Sequence, residues 1–485
     1  MVDCPGHASL IRTIIAGAQI IDAMMLVVDV TKGFQTQTAE CLVIGEILCD
    51  HLLLVLNKID LLPPEKSKAT IEKMIKRIRA TLQSTKFANC KIIPVAAKPG
   101  GGDETCSVTS DPLGMSELLA GLQNMFYIPK RETMGPVVFA VDHCFGIRGQ
   151  GTVMTGTVLQ GSVAINDTVE IPSLNISKKV KSMQMFYKPV ERAIQGDRLG
   201  ICVTQFDPKT LERGLACTPG LIKTATALLV LVEKIPYYKQ VIETKAKFHI
   251  SVGNETVMAK VYFFGSSDCK YDGNFDNSRE YAHQDELIDV RKTDDAVKPC
   301  HQFAVLQLER SVPVLPGSFI IGSKLDMDVH TNMCRLAFKG TILEIYTSKD
   351  YADTQLPLLK VFKNKSKDGV VERMQDTSDI IVKNLLKKDT NLQLFIGLKV
   401  TLSTGEIGII EGHFGTSGKL KVRVPSGLQA STCALLHAMS GGKKKGKGSA
   451  AAMQNLSLDH KPTESIKVQL NFKKYVFAGD KKMVQ

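Results

Sequence analysis

No apolar run in this 485-residue chain approaches the roughly 18 residues needed to cross a bilayer, so no membrane partner is expected. The N-terminus opens Met1-Val2-Asp3 with no basic stretch leading into an apolar segment, which excludes a secretory signal from the reading. Twelve cysteines are present, yet no two lie within four residues of each other and no Cys-x-x-Cys occurs, so zinc-ligand spacing is absent. Scattered thiols of this kind fit a reducing cytosol. Acidic residues are outnumbered, with a formal net charge of +12, and residues 441–485 hold ten lysines against Asp459, Glu464 and Asp480. A basic tail suits polyanionic partners, although Lys443-Lys444-Lys445-Gly446-Lys447 by itself reads equally well as a solvated linker.

The length is too great for one hydrophobic core and predicts several domains. Over 1–131, buried apolar runs at Met24–Val30, Leu52–Leu56 and Ile92–Ala96 read as strands covered on both faces. Lys68–Leu82 places Ile71, Met74, Ile75, Ile78 and Leu82 on one helical face, and Met115–Phe126 behaves similarly, giving the β-α-β rhythm of a parallel sheet. Over 135–220 the texture changes to short alternating runs split by Gly149, Gly151, Gly156 and Gly161, which predicts an antiparallel β-barrel. A second β-rich unit is expected over 222–339, with Phe248–Phe264 and Phe303–Leu308 as its clearest strands. Within it, residues 268–295 carry nine acidic side chains against four basic ones and read as a surface excursion. A last β-rich domain with a basic tail is expected over 340–485. Its strands are placed at Gly397–Leu402, Glu406–Glu411, Lys419–Val424, Ile466–Phe472 and Lys474–Phe477, with Ser440–Gln454 as a disordered loop.

Two short motifs carry chemistry. Asn57-Lys58-Ile59-Asp60 ends an apolar strand, where the Asp60 carboxylate can accept from the ring N–H and exocyclic amine of guanine while Lys58 packs its stem along the loop. Adenine presents the wrong pattern there. A further strand ends in Val95-Ala96-Ala97-Lys98, where small residues let backbone N–H groups reach the guanine oxygen. Upstream, Asp3-Cys4-Pro5-Gly6-His7 supplies the spacing for a triphosphate end: Gly6 N–H sensing the γ-phosphate, Asp3 holding Mg2+ through water, and His7 orienting the attacking water. Asp-x-x-Gly is a weak signal alone. Three such elements in order, each after its own strand, place the ligand at the carboxyl edge of one sheet.

What should precede them is a Gly-x-x-x-x-Gly-Lys-Ser/Thr loop to wrap the phosphates, and no match occurs anywhere in the chain. The fold class expected is therefore an incomplete P-loop-type GTPase domain, lacking its first strands, followed by three β-barrel domains. As written, the polypeptide is expected to bind GTP and Mg2+ weakly or not at all, and an exposed sheet edge is expected. A shortened gene product is the natural explanation of that pattern.

Asp3-Cys4-Pro5-Gly6-His7 and the segment Gly149-Gln150-Gly151-Thr152-Val153-Met154-Thr155-Gly156-Thr157-Val158 resemble elongation factor Tu and its relatives. The strand-like run after Gly151 argues against a dinucleotide-binding reading of those glycines. Over Val2–Val30, Val95–Gly101, Asp142–Thr157, Lys181–Phe186, Gly196–Leu215 and Lys473–Gln485 the chain closely resembles eukaryotic selenocysteine-specific elongation factors. That resemblance implies a GTP-dependent factor delivering selenocysteinyl-tRNA to the ribosome at recoded UGA codons, with a selenocysteine-insertion hairpin-binding protein as a further partner and a monomeric state. It places the aminoacyl pocket on the first barrel, at Asp142, His143 and Arg198. A selenol is more acidic than a thiol of pKa about 8.5, so it is ionised at neutral pH and favoured by Arg198 and protonated His143. A surface ion pair of Arg198 with neighbouring Asp197 is the plain alternative.

In the last domain, Lys360–Lys367, Lys383–Lys388 and the lysine-rich tail would suit tRNA, ribosomal RNA or the hairpin-binding protein. The lysine run could equally be a nuclear import signal, so the location is ranked cytoplasm first and nucleus second. Two other readings stand beside the carrier. One is a GTPase-deficient fragment that still binds RNA or partner protein; the other is a carrier of another aminoacyl-tRNA or an initiator-type factor.

Overall fold

The computed structural model describes residues 2–4, 11–17, 20–99, 111–266, 273–291, 299–327, 333–415, 418–441, 465–478 and 483–485. Two compact units are formed. One comprises Met1–Phe275 with Gln284–Lys349, the other Asp276–His283 with Asp350–Gln485.

The first unit begins with alternating helices and parallel strands: α1 (Ile11–Gly17), β1 (Ala23–Asp29), α2 (Thr36–Leu48), β2 (His51–Asn57), α3 (Pro64–Leu82), β3 (Lys91–Pro94) and α4 (Met115–Met125). Strand β2 lies between the other two, and Leu52 through Leu56 are all buried. A strand sends successive side chains to opposite faces. Leu52, Leu54 and Leu56 accordingly pack with Ile78 and Leu82 of α3, while Leu53 and Val55 pack with Leu118 of α4. Helix α3 starts four residues before the expected Lys68, because Pro64 is pre-set for a first helical position. The third strand stops at Pro94 instead of Ala96, and Ala96 forms an isolated bridge with Leu113. Strand β1 pairs only with β2 among the described residues, and Val27 on it is 50% exposed.

Antiparallel strands follow: β4 (Val138–Ile147), β5 (Gly151–Gln160), β6 (Ser162–Ala164), β7 (Thr168–Ile171), β8 (Ile176–Met185), β9 (Lys188–Val190), β10 (Arg192–Ile194), β11 (Arg198–Val203) and β12 (Gly214–Cys217). The order β11-β5-β4-β12-β7-β8 closes on itself through a β11–β8 pairing. Phe139, Val141, Met154, Val180 and Ile201 fill this barrel. Gly156 on β5 has no room for a side chain, since a Cβ would sit 1.8 Å from the Ala140 carbonyl oxygen on β4.

A second barrel is built from β13 (Lys223–Lys234), β14 (Lys247–Val252), β15 (Glu255–Ser266), β17 (His301–Val314), β18 (Phe319–Ser323) and β19 (Leu336–Tyr346), closed by a β14–β15 pairing. Phe338 stands edge-on to both Phe248 and Phe263 at its centre. The expected run Phe248–Phe264 is two strands of a hairpin, turned at Gly253.

The α/β part is fastened to this second barrel by an apolar layer in which Ile11, Ile14 and Ile15 of α1 and Val43 and Ile44 of α2 meet Ile235, Ile321 and Leu336. Inside the layer lies an ion pair. Glu40 of α2 accepts from Arg335 Nε at 3.0 Å, Arg335 Nη2 at 2.8 Å and the Arg335 backbone N–H at 3.0 Å. Both side chains are at most 5% exposed.

The second unit corrects the reading of 268–295 as one surface excursion. Its middle forms β16 (Glu280–His283), which pairs in parallel with β20 (Lys360–Met374). Tyr281 is buried, and Glu280 accepts from Lys473 Nζ at 2.5 Å and from the Tyr475 hydroxyl. An acidic segment facing a basic sheet and carrying one apolar anchor is held in place. Residues 267–272 and 292–298 lie outside the described set.

Strand β20 also pairs with β21 (Asp379–Lys383) and β25 (Lys467–Tyr475), and β24 (Lys419–Arg423), β23 (Ile407–Phe414) and β22 (Lys399–Leu402) complete a circuit of six, with β26 (Met483–Val484) added on β25. The two strands expected at Ile466–Phe472 and Lys474–Phe477 are the single strand β25. Helices α5 (Tyr351–Thr354) and α6 (Ala430–Gly441) flank this circuit. The loop expected over Ser440–Gln454 falls almost wholly outside the described residues.

Candidate functional site

Strands β1 and β2 end level with each other, Asp29 opposite Asn57, so both side chains stand at the carboxyl edge of the sheet. The Asn57 side-chain oxygen accepts from the backbone N–H of Lys58 at 2.8 Å and of Ala97 at 3.2 Å. Two N–H donors fix the orientation of that amide, because only its oxygen can accept. Ile59 N–H donates to the Val95 carbonyl at 3.3 Å, so the loop after β2 and the loop after β3 form one wall. Asn57, Lys58 and Asp60 lie on the first of these loops and Ala96, Ala97 and Lys98 on the second.

Lys58 adopts the left-handed conformation, φ 67°, and its Nζ donates to Asp29 Oδ2 at 2.8 Å. Thr31 donates to the other Asp29 oxygen through both its N–H, at 2.9 Å, and its hydroxyl, at 2.6 Å. Burial alone would raise the Asp29 carboxyl, but the Lys58 and Thr31 hydrogen bonds outweigh it and hold it well below the usual carboxylate range. Asp29 was not legible as a site residue, although an acid ending an apolar strand beside Thr31 was the available signal. Gly114 supports the far side of the wall: at φ +75° a Cβ would lie 2.3 Å from the Pro94 carbonyl oxygen.

The wall fits the guanine end of a nucleotide, with a backbone and side-chain rim of fixed donors and acceptors at the strand ends. Of the residues expected at the phosphate end, Asp3 and Cys4 are exposed, and Pro5, Gly6 and His7 lie outside the described residues. No group of three or more His, Cys, Asp or Glu that could hold a metal ion occurs among the described residues.

The second constellation lies on the first barrel. Strand β4 slips by one residue between Val141 and His143 relative to β5, so Asp142 occupies a β-bulge. A bulge re-aims a side chain out of the regular alternation. Arg198, first residue of β11, stands opposite Thr157 of β5 and donates to its hydroxyl at 3.2 Å. Its Nη1 also lies 2.6 Å from Asp142 Oδ2, a close ion pair without the alignment of a hydrogen bond. The structure thus brings Asp142 and Arg198 together and adds Thr157, which sequence reasoning missed. Asp197, the alternative partner, instead accepts from the Ile194 backbone N–H at 2.8 Å. His143 is exposed, and its ring has no hydrogen-bond partner among the described residues.

An α/β sheet edge with a guanine-type wall, joined to two six-stranded antiparallel barrels, defines the elongation factor Tu class of translational GTPases. Residues 1–141 match the elongation factor Tu GTP-binding domain family and 151–218 match elongation factor Tu domain 2. Residues 229–340 match the third domain of eukaryotic selenocysteine-specific elongation factors, and 357–481 match their C-terminal RIFT domain. The chain is 50% identical to the selenocysteine-specific elongation factor of Mus musculus over 508 residues, covering 100% of this chain and 87% of the mouse protein. It is 32% identical to that of Methanocaldococcus jannaschii, covering 87% and 81% of the two chains. Among solved structures it is similar to elongation factor SelB of Methanococcus maripaludis bound to the GTP analogue GppNHp, at 25% identity and a TM-score of 0.67, covering 98% and 89%. The chain belongs to the selenocysteine-specific elongation factor family, whose members are translation elongation factors.

Proposed function

We propose that this protein works in GTP-dependent delivery of selenocysteinyl-tRNA to the ribosome. The Asn57 wall receives guanine, with Asp60 accepting from its N–H groups. Asp3, Gly6 and His7 serve the γ-phosphate end, Mg2+ being held by Asp3 through water, and His7 orients the attacking water. Asp142, His143 and Arg198 receive the selenocysteinyl group. The single observation that supports this reading is the Arg198–Asp142–Thr157 cluster, built on a bulge of the first barrel. A guanidinium already facing one carboxylate favours a second anion that displaces it, and a selenolate is such an anion whereas a serine hydroxyl is not. The hairpin-binding protein, the monomeric state and a cytoplasmic location, with the nucleus second, belong to the same proposal.

A second reading is favoured by one feature: the 485 residues hold no phosphate-wrapping loop. Under it the chain is a binding module whose barrels touch RNA or partner protein without nucleotide turnover. Titrating a fluorescent GTP analogue onto this chain separates the two. Micromolar or tighter binding supports the first for the chain as it stands, and no binding below millimolar supports the second.

A further inference from the structure

A cavity of about 700 Å³ opens in the second unit, lined by β20, by the segment that follows β21 and by the start of β24. Its lining holds five lysines, Lys367, Lys383, Lys387, Lys388 and Lys419, against the single carboxylate of Asp368. Lys419 is answered by Glu372 at 2.8 Å. The other four lysines have no carboxylate partner among the described residues.

Local structure keeps these charges together. Gly369 on β20 bears no side chain, and a Cβ there would lie 2.8 Å from Leu385 Cβ, so the segment after β21 runs close against the strand. Asn384 turns that segment in the left-handed conformation, φ 65°, which asparagine tolerates better than most residues. Leu385 and Leu386 then enter the core of the circuit with Leu392 and Val400. With its leucines anchored inside, the segment leaves Lys383, Lys387 and Lys388 exposed. On β20, Lys367 alternates with buried Gly369 and Val371 and so takes a core-facing register. Its Nζ stands 5.3 Å from the centre of the buried Phe395 ring. A cation–π contact holds an ammonium without neutralising it. Burial first, and the Lys387 charge second, keep the Lys367 ammonium below the usual lysine range. Ammonium groups gathered without counter-charge repel one another, and an anion placed among them is attracted by all.

The shape names the ligand class. The volume falls in the range of small-molecule sites, roughly 300–1,000 Å³. No aromatic side chain among the described residues lines the cavity, so nothing there stacks a base, the contact that marks sites for single-stranded nucleic acid. We propose that this cavity binds a compact anion bearing several phosphate groups, free or as a lipid headgroup, with Lys367 and Lys387 as its central contacts. The site requires neither guanine nucleotide nor an aminoacyl group, so it stands whether or not the chain turns over GTP.

Inositol hexakisphosphate is the soluble probe, titrated calorimetrically onto the full chain at about 0.15 M salt, where diffuse surface attraction is screened. Wild type should bind it at one saturable site, and K367Q/K387Q should lose at least about tenfold in affinity. Removing two mutually repelling charges should leave the thermal midpoint of that variant equal or higher. K367R/K387R should keep the affinity, as should K443Q/K444Q/K445Q in the basic tail. Phosphatidylcholine vesicles with and without phosphatidylinositol bisphosphate separate the two sources. Co-sedimentation that needs the bisphosphate and is lost in K367Q/K387Q assigns a headgroup; probe binding without co-sedimentation assigns a free anion. Equal affinity of wild type and K367Q/K387Q for the probe, or equal losses in that variant and the tail variant, would overturn the proposal. Displacement of the probe by a blunt RNA duplex at equal phosphate concentration would also overturn it, and would assign the lysines to RNA.

Discussion

Removing Arg335 should loosen the join between the α/β part and the second barrel far more than removing an ordinary surface arginine. Glu40 would be left as a carboxylate 3% exposed within an apolar layer, having lost two guanidinium donors. Breaking a buried pair from one side costs about 3–5 kcal/mol, because the surviving charge cannot reach water. At about 1.4 kcal/mol per tenfold, this corresponds to a rise of roughly 10²–10⁴ in the population of the opened join. Two thiols report on it. Cys334 adjoins Arg335, is 7% exposed, and burial pushes its thiol up to about 12; Cys217, fully buried in the first barrel, serves as reference. Alkylation of the native chain, located by mass spectrometry, should accelerate at Cys334 in Arg335→Ala by about the calculated factor and leave Cys217 unchanged. The double variant Glu40→Leu, Arg335→Met should restore slow labelling, since apolar side chains suit neighbours such as Val43, Ile44 and Leu336. An acceleration at Cys334 of less than tenfold, or an equal one at Cys217, would refute the reasoning.

Asn57→Ala removes the acceptor for two backbone N–H groups and should cost about 1–3 kcal/mol locally, read as faster amide exchange at Ala97 with β2 unchanged. Asp60→Asn should shift nucleotide preference from guanine toward xanthine, whose ring offers an acceptor where guanine offers its exocyclic amine; competition between the two nucleotides measures it. The Asp29 carboxyl lies below its usual value in the folded chain, so its contribution is present above about pH 4 and is lost as pH falls toward the folded value. The stability gap between wild type and Asp29→Asn should therefore be full at pH 7 and narrow below about pH 4 in thermal melts. Arg198→Ala should abolish discrimination between selenocysteinyl-tRNA and seryl-tRNA on one tRNA body; a wild-type preference under about tenfold would remove the pocket assignment.

Local order determined what was legible. The apolar run Leu52–Leu56 announced a strand covered on both faces, Asn57-Lys58-Ile59-Asp60 announced the loop that ends it, and the glycine-punctuated stretch after Gly149 announced antiparallel strands, because side-chain period and turn chemistry act over a few residues. Tertiary structure alone decided the rest. The Glu40–Arg335 pair joins residues 295 apart in the chain. The bulge that turns Asp142 toward Arg198 exists only once β4, β5 and β11 are in register, and the acidic segment became β16 only because the chain returns to pair with β20. Such contacts depend on which surfaces exclude water together when distant segments meet. Composition and spacing carry no record of that choice.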